Sequence, residues 1–146
     1  MPDATTPPRI VVGVDGSPLS RSALEFATDE ARLRGAALHV TYAYPVIANP
    51  LTGSTGLDYY EQAESDAREV LQGLIADAPS SEGVEVEWLA VPGNPSEVLI
   101  EASKGAVLLV VGSRGNGGFM GLIMGSVSTQ CVQYSHCPVL VVREEH

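Results

Sequence analysis

Five short apolar runs recur along this 146-residue chain: RIVVGVD (9–15), ALHVTYAY (37–44), EVEWLAV (85–91), AVLLVVG (106–112) and CPVLVV (137–142). Each reads as a strand, and a longer segment with helical periodicity separates nearly every pair. Strands alternating with helices predict one parallel, three-layer α/β domain with right-handed crossovers. AVLLVVG is apolar without a break, so it is expected at the sheet centre, covered on both faces.

The helices carry their own start and stop signals. Ser17 and Pro18 suit a cap and a first helical residue, and a helix is expected to run to about Arg34. Leu19, Ala23, Phe26, Ala27 and Ala31 keep steps of three and four along it, and Gly35 stands where a left-handed cap belongs. From about 57 to 78, Tyr60, Ala63, Ala67, Val70, Leu71 and Leu74 form one stripe, with Gln62, Glu64, Asp66 and Arg68 on the wet side. Asn94, Pro95 and Glu97 look like a third start, with Glu97 placed to close a capping box, and that helix is expected to end near Gly105. SVSTQCVQYS (126–135) reads as the last helix. The Pro-, Gly- and Asn-rich stretch 45–56 reads as a mobile loop. Residues 1–8 read as a flexible leader and 9–146 as the domain.

Composition excludes several functions. The formal net charge is −10, with one lysine, Lys104, and scattered arginines, which argues against a nucleic-acid partner. The apolar runs fall far short of the roughly 20 residues of a membrane span, so no membrane partner is expected. The start, MPDATTPPR, lacks the basic-then-apolar order of a secretory signal, and a cytoplasmic protein is expected. Cys131 and Cys137 form no disulfide framework or zinc set and read as packing residues. His39 lies within an apolar strand and His136 has no nucleophile or carboxylate at a telling spacing, so neither reads as a catalyst.

The fourth run leads into GSRGNGGFMGLIMGS (112–126), in which six of fifteen residues are glycine. Glycine is kept where φ must be positive or where something approaches the main chain. A Walker A loop would need a lysine that this stretch lacks, and a dinucleotide fingerprint would follow the first strand with other spacing. What remains is Gly112, Gly115, nine residues, then Gly125 and Ser126. Amides around 115–118 can form an anion nest, and 126–128 open a helix whose free N–H groups favour negative charge. In open parallel sheets, ligands bind beyond the carboxyl ends of strands where the winding reverses. If the first and fourth strands are neighbours, VDGS (14–17) and GSRGNGG (112–118) face one crevice.

Gly-x2-Gly-x9-Gly-Ser, as spelled in 112–126, resembles the signature of the ATP-binding branch of the universal stress protein family. VGVDGSPLS, VPGNPSEVLIE and HCPVLVV are similar to that family too, so the resemblance covers 9–143. It implies a Rossmann-like, adenine nucleotide alpha hydrolase-like sheet of order 3-2-1-4-5. It also implies an ATP site: Gly13 and Asp15 in the pocket, with Asp15 near the ribose or a phosphate-bound Mg²⁺, and Val40, taken as the end of the second strand, against adenine. Gly112, Ser113, Arg114, Gly115, Asn116, Gly117 and Gly118 would wrap ribose and phosphates. Gly125, Ser126, Val127 and Ser128 would complete the phosphate site, with Gly93 on the approach. A homodimer through the last strand, 137–142, is likewise implied.

Structural readings stand beside these. Asp15 could cap its own turn, Ser17 could be only a helix cap, and Arg114 could be a solvated side chain or a phosphate or subunit contact. No poised nucleophile, base and orienting acid is evident. The expected function is therefore nucleotide-dependent regulation in a stress response, with a protein partner the sequence does not specify and at most slow ATP hydrolysis. The alternatives are a Mg-dependent ATPase using Asp15 and a nucleotide-independent dimeric adaptor.

Overall fold

In the computed structural model, residues 6–46, 57–114 and 124–144 are described. Their elements alternate as β1 (Arg9–Gly13), α1 (Pro18–Arg34), β2 (Ala37–Tyr44), α2 (Leu57–Ala76), β3 (Val86–Pro92), α3 (Pro95–Ala102), β4 (Leu108–Gly112), α4 (Ser126–Tyr134) and β5 (Val139–Val142). The strands form one parallel sheet of order β3-β2-β1-β4-β5. The winding therefore reverses between β1 and β4, which pair directly, Ile10 with Leu108, Val11 with Leu109 and Val12 with Val110.

Alternation along the central strands sends side chains to two cores. Ile10, Val12, Leu38, Val40 and Val110 pack with α1, and Leu74 of α2 lies against the same cluster. Val11, Leu109 and Val111 pack on the opposite face with Leu99 of α3 and Cys131 of α4. β1 and β4 are thus buried on both sides, which explains why they are apolar at successive positions. Each fully buried Val, Leu or Ile side chain contributes roughly 1.5–3 kcal/mol of transfer free energy.

Local signals set most element ends. Ser17 Oγ accepts from Ser20 N at 3.2 Å, Pro18 opens α1, and Gly35 closes it at φ 62°. Asn94 Oδ1 accepts from the amides of both Ser96 and Glu97, so the cap of α3 is complete without the capping-box bond expected of Glu97. α3 stops at Ala102, short of Gly105, because the chain tightens at Ser103, whose amide reaches Leu99 O and Ile100 O. β5 begins at Val139, not Cys137: Pro138 has no N–H for the ladder and contributes only its carbonyl, to Leu109 N.

Two expected stripes are narrower in the fold. Phe26 is 54% exposed, because α1 lies on the sheet through Ser20, Ala23, Leu24, Ala27, Thr28 and Ala31. The small residues in that set let the helix sit close and leave Phe26 off the contact line. On α2, Ala67 is buried, whereas Tyr60 and Val70 are exposed.

Candidate functional site

The turns after β1 and β4 emerge side by side at the switch point, as the strand order implied by the resemblance places them. Each is built differently.

After β1, Val14 N donates to Thr41 O at 3.0 Å, extending the β1–β2 pairing by one residue. Asp15 Oδ1 then accepts from Ser17 N at 2.9 Å, and Ser20 Oγ accepts from Asp15 N at 3.3 Å. Asp15 therefore forms an Asx turn that leads into the Ser17 cap. Ser20, which the sequence reading passed over, ties this turn together, since its hydroxyl also donates to Ser17 O at 3.0 Å. The signal was its place three residues after the cap.

After β4, Ser113 acts as a clasp. Its amide donates to Val142 O at 2.7 Å, and its carbonyl accepts from Gly125 N at 2.6 Å and from Ser128 Oγ at 2.7 Å. Ser113 and Ser128 are both buried. The two ends of the glycine-rich crossover are thus pinned together, and Gly125 lies against the Arg114 main chain. Gly125 caps α4 with no side-chain hydrogen bond, whereas α1 and α3 are capped by Ser17 and Asn94. The Ser128 hydroxyl is committed to the clasp, so what Ser126, Val127 and Ser128 present is the first turn of amides at the positive end of α4. Gly115, Asn116, Gly117 and Gly118 lie outside the described residues.

Gly13 and Gly112 have packing reasons of their own. A Cβ on Gly13 would stand 2.6 Å from Leu99 Cδ1, and one on Gly112 would stand 3.1 Å from Leu19 Cγ and 3.3 Å from the Leu19 main chain. Both glycines let a helix approach the end of a strand closely.

Two other positions of the implied site lie within β2 and after β3. The expectation that Val40 ends the second strand is not met. β2 runs on to Tyr44, and Val40 is completely buried in the core, paired with Val12 and Trp88. Gly93 follows β3, two strands from β1, and its amide donates to Tyr44 O at 2.9 Å. A cleft of about 290 Å³ lies on the α2 side of the β2 end, lined by Tyr42, Tyr44, Gln62, Asp66 and Val70 among others.

The remaining chemistry is sparse. Burial pushes the Cys131 thiol up to about 11. Cys137 is also raised by burial, partly offset by the Arg9 guanidinium. Both are therefore held as thiols near neutral pH and are poor nucleophiles. His39 Nε2 faces Glu87 Oε2 at 3.3 Å across β2 and β3, away from the switch point. No group of three His, Cys, Asp or Glu side chains able to hold a metal occurs among the described residues. Thr41 Oγ1 is the one buried side-chain polar atom without a partner among them. No helix of the described residues is long and apolar enough to cross a membrane.

An open parallel sheet with a glycine crossover clasped at its switch point defines a class, and comparison with known proteins says which. Residues 7–143 match the profile of the universal stress protein family, and the chain belongs to that family. A universal stress protein of Mycobacterium tuberculosis (strain ATCC 25618 / H37Rv) is 35% identical over 147 residues, covering 99% of this chain and 48% of the relative. The chain thus spans about half the length of the curated relatives it matches. Universal stress protein UspA from Lactobacillus plantarum shares the fold at TM-score 0.70 and 22% identity, covering 95% of this chain and 99% of that one. A universal stress protein solved in complex with cAMP is 27% identical at TM-score 0.70, covering 94% of this chain and 98% of its own.

Proposed function

We propose that this chain binds an adenine nucleotide, ATP with Mg²⁺, in the crevice between the ends of β1 and β4, and acts as a nucleotide-dependent regulator in a stress response. The observation that carries the reading is the first turn of α4, which no side chain among the described residues caps and which the Ser113 clasp holds against Arg114. A helix N-terminus capped by glycine, with an arginine residue at its cap, suits an anionic tail. The solved relative bound to cAMP supports an adenine nucleotide as the owner of that tail.

The residues fit a phosphate chain better than a metal. Ser126, Val127 and Ser128 would offer amides, Gly112, Gly115, Asn116, Gly117 and Gly118 would supply main chain, Ser113 and Gly125, bonded to each other, would hold the two ends of the loop at the site, and Arg114 would supply charge. Asp15 already accepts from Ser17 N, so it would meet Mg²⁺ through water or phosphate, the usual manner for this ion. Bound Mg²⁺ would offset the charge of the phosphates. Hydrolysis is expected to be slow at most, and the protein is read as cytoplasmic, acting through a protein partner that its sequence does not specify.

A homodimer through β5 belongs to the same reading. β5 is an edge strand with Val139, Leu140 and Val141 half-buried, and an apolar edge needs pairing or protection. Val141→Lys should lower the mass seen by light scattering at micromolar concentration; an unchanged mass would remove the edge from the interface.

The nucleotide itself is tested by denaturing freshly purified protein and separating the released small molecules. Stoichiometric adenine nucleotide is expected from the natural sequence and none from Gly115→Glu, with the circular dichroism of the two unchanged. Nucleotide retained by the variant would move the site elsewhere. Phosphate release far beyond one equivalent per chain, abolished by Asp15→Ala with binding intact, would make the protein an ATPase instead.

A further inference from the structure

We propose that Glu144 is a built-in competitor for the phosphate tail, pairing with Arg114 when the site is empty and so setting how strongly the site prefers polyphosphates. This rests on the nucleotide reading above and adds a residue to it.

The pairing follows from the sheet. Gly112 of β4 lies opposite Val142 of β5, and Ser113 N donates to Val142 O at 2.7 Å. Two residues beyond that pair on each strand stand Arg114 and Glu144, and Arg114 Nη2 is joined to Glu144 Oε1. The Arg114 side chain is 23% exposed and that of Glu144 54%, so the arginine is the more enclosed partner. Its main chain abuts Gly125, the cap of α4. The residue therefore stands at the cap of the helix whose amides would receive phosphate, and its guanidinium is occupied by a carboxylate.

Positive charge is scarce in this protein, which gives that occupancy weight. Of its eight basic residues, Arg143 is exposed directly before Glu144, and Arg21, Arg32, Arg34, Arg68 and Lys104 pair with Asp77, Asp29, Glu30, Glu64 and Glu101. Arg9 donates to the carbonyls of Ala102 and Lys104 at the end of α3. Apart from Arg143, these cations are engaged elsewhere. A phosphate chain entering beside α4 must draw Arg114 from Glu144 and must also approach the Glu144 charge. Both effects grow with the number of phosphates and vanish for an uncharged nucleoside. Because Glu144 follows the edge strand directly, the exchange would also free a carboxylate at the margin of β5.

The test is calorimetric titration of adenosine, AMP and ATP into the natural sequence, Glu144→Gln, Arg114→Gln and the double variant. Glu144→Gln should tighten ATP about two- to fivefold, the range expected for freeing one partly exposed ion pair. AMP should gain less and adenosine nothing. Arg114→Gln should weaken ATP, and in that background Glu144→Gln should change little. The gain should shrink at high salt. An equal gain for adenosine and ATP, weaker ATP binding by Glu144→Gln, or a gain that survives in Arg114→Gln would overturn the proposal while leaving the nucleotide site standing. Failure of the natural sequence to bind adenosine or ATP would take down the nucleotide reading and this one together.

Discussion

The Ser128 hydroxyl donates to the Ser113 carbonyl at 2.7 Å across the base of the glycine-rich crossover, with both residues buried. The same carbonyl accepts from Gly125 N, so one oxygen fixes where β4 ends and where α4 starts. Ser128→Ala should leave that oxygen with one partner and lower stability by about 1–3 kcal/mol, measured by chemical denaturation. Amide exchange in the first turn of α4 should accelerate with it. A variant as stable as the natural sequence would show that the clasp does not hold the loop.

Gly13 is a contact between β1 and α3. Gly13→Ala would place a methyl group 2.6 Å from Leu99 Cδ1, and a loss of about 1–3 kcal/mol is expected in thermal unfolding. Leu99→Ala opens a cavity by itself, but in that background Gly13→Ala should cost much less. Additive losses in the double-mutant cycle would place the strain elsewhere.

Thr41 carries a buried hydroxyl without a hydrogen-bond partner, next to Gly13 in the sheet register. An unpaired buried hydroxyl is costly, and valine has nearly the same shape. Thr41→Val is therefore expected to be neutral or stabilising by up to about 1 kcal/mol in urea denaturation. Destabilisation by more than that would reveal an ordered water or ligand on Oγ1.

Cys131 makes stability depend on alkaline pH. Its folded pKa, about 11, lies above the ordinary 9.0, so between those values the unfolded chain gives up a proton that the folded chain keeps. Stability must then fall as pH rises from 9 towards 11, by on the order of 2 kcal/mol from this group. Cys131→Ala should be less stable at neutral pH, from the cavity it leaves, but its pH profile should be flatter over that window. Parallel profiles would exclude the thiol as the titrating group.

The sequence carried most of the fold because its signals were local. Ser17, Pro18, Gly35, Asn94 and Pro95 act within a few residues of themselves, and each stands where the pattern of caps put it. Val40 and Phe26 show the limit. The run 37–44 was legible as a strand and β2 spans all of it, but the resemblance put Val40 at its end and the fold leaves Val40 inside the strand, in the core. Helical spacing fixes a stripe only to within a residue or so, and the small side chains of α1 shifted the contact away from Phe26.

At the site the division has the same cause. The residues of the switch point were legible one by one, since Asp15 follows the first strand and Gly112, Arg114, Gly125 and Ser126 fall within a spaced motif after the fourth. Their partners were not. Ser113 with Ser128, Gly13 with Leu99 and Arg114 with Glu144 are joined across 15, 86 and 30 positions, and no local pattern links such pairs. The chain by itself determined its strands, its helix caps and which two turns are rich in glycine and polar groups, because backbone preference and hydrophobic period act over a few residues. Only the folded sheet decided that those turns adjoin, that Gly13 makes room for a helix and that Arg114 faces a carboxylate, because pairing across strands depends on register, which exists only once the strands have met.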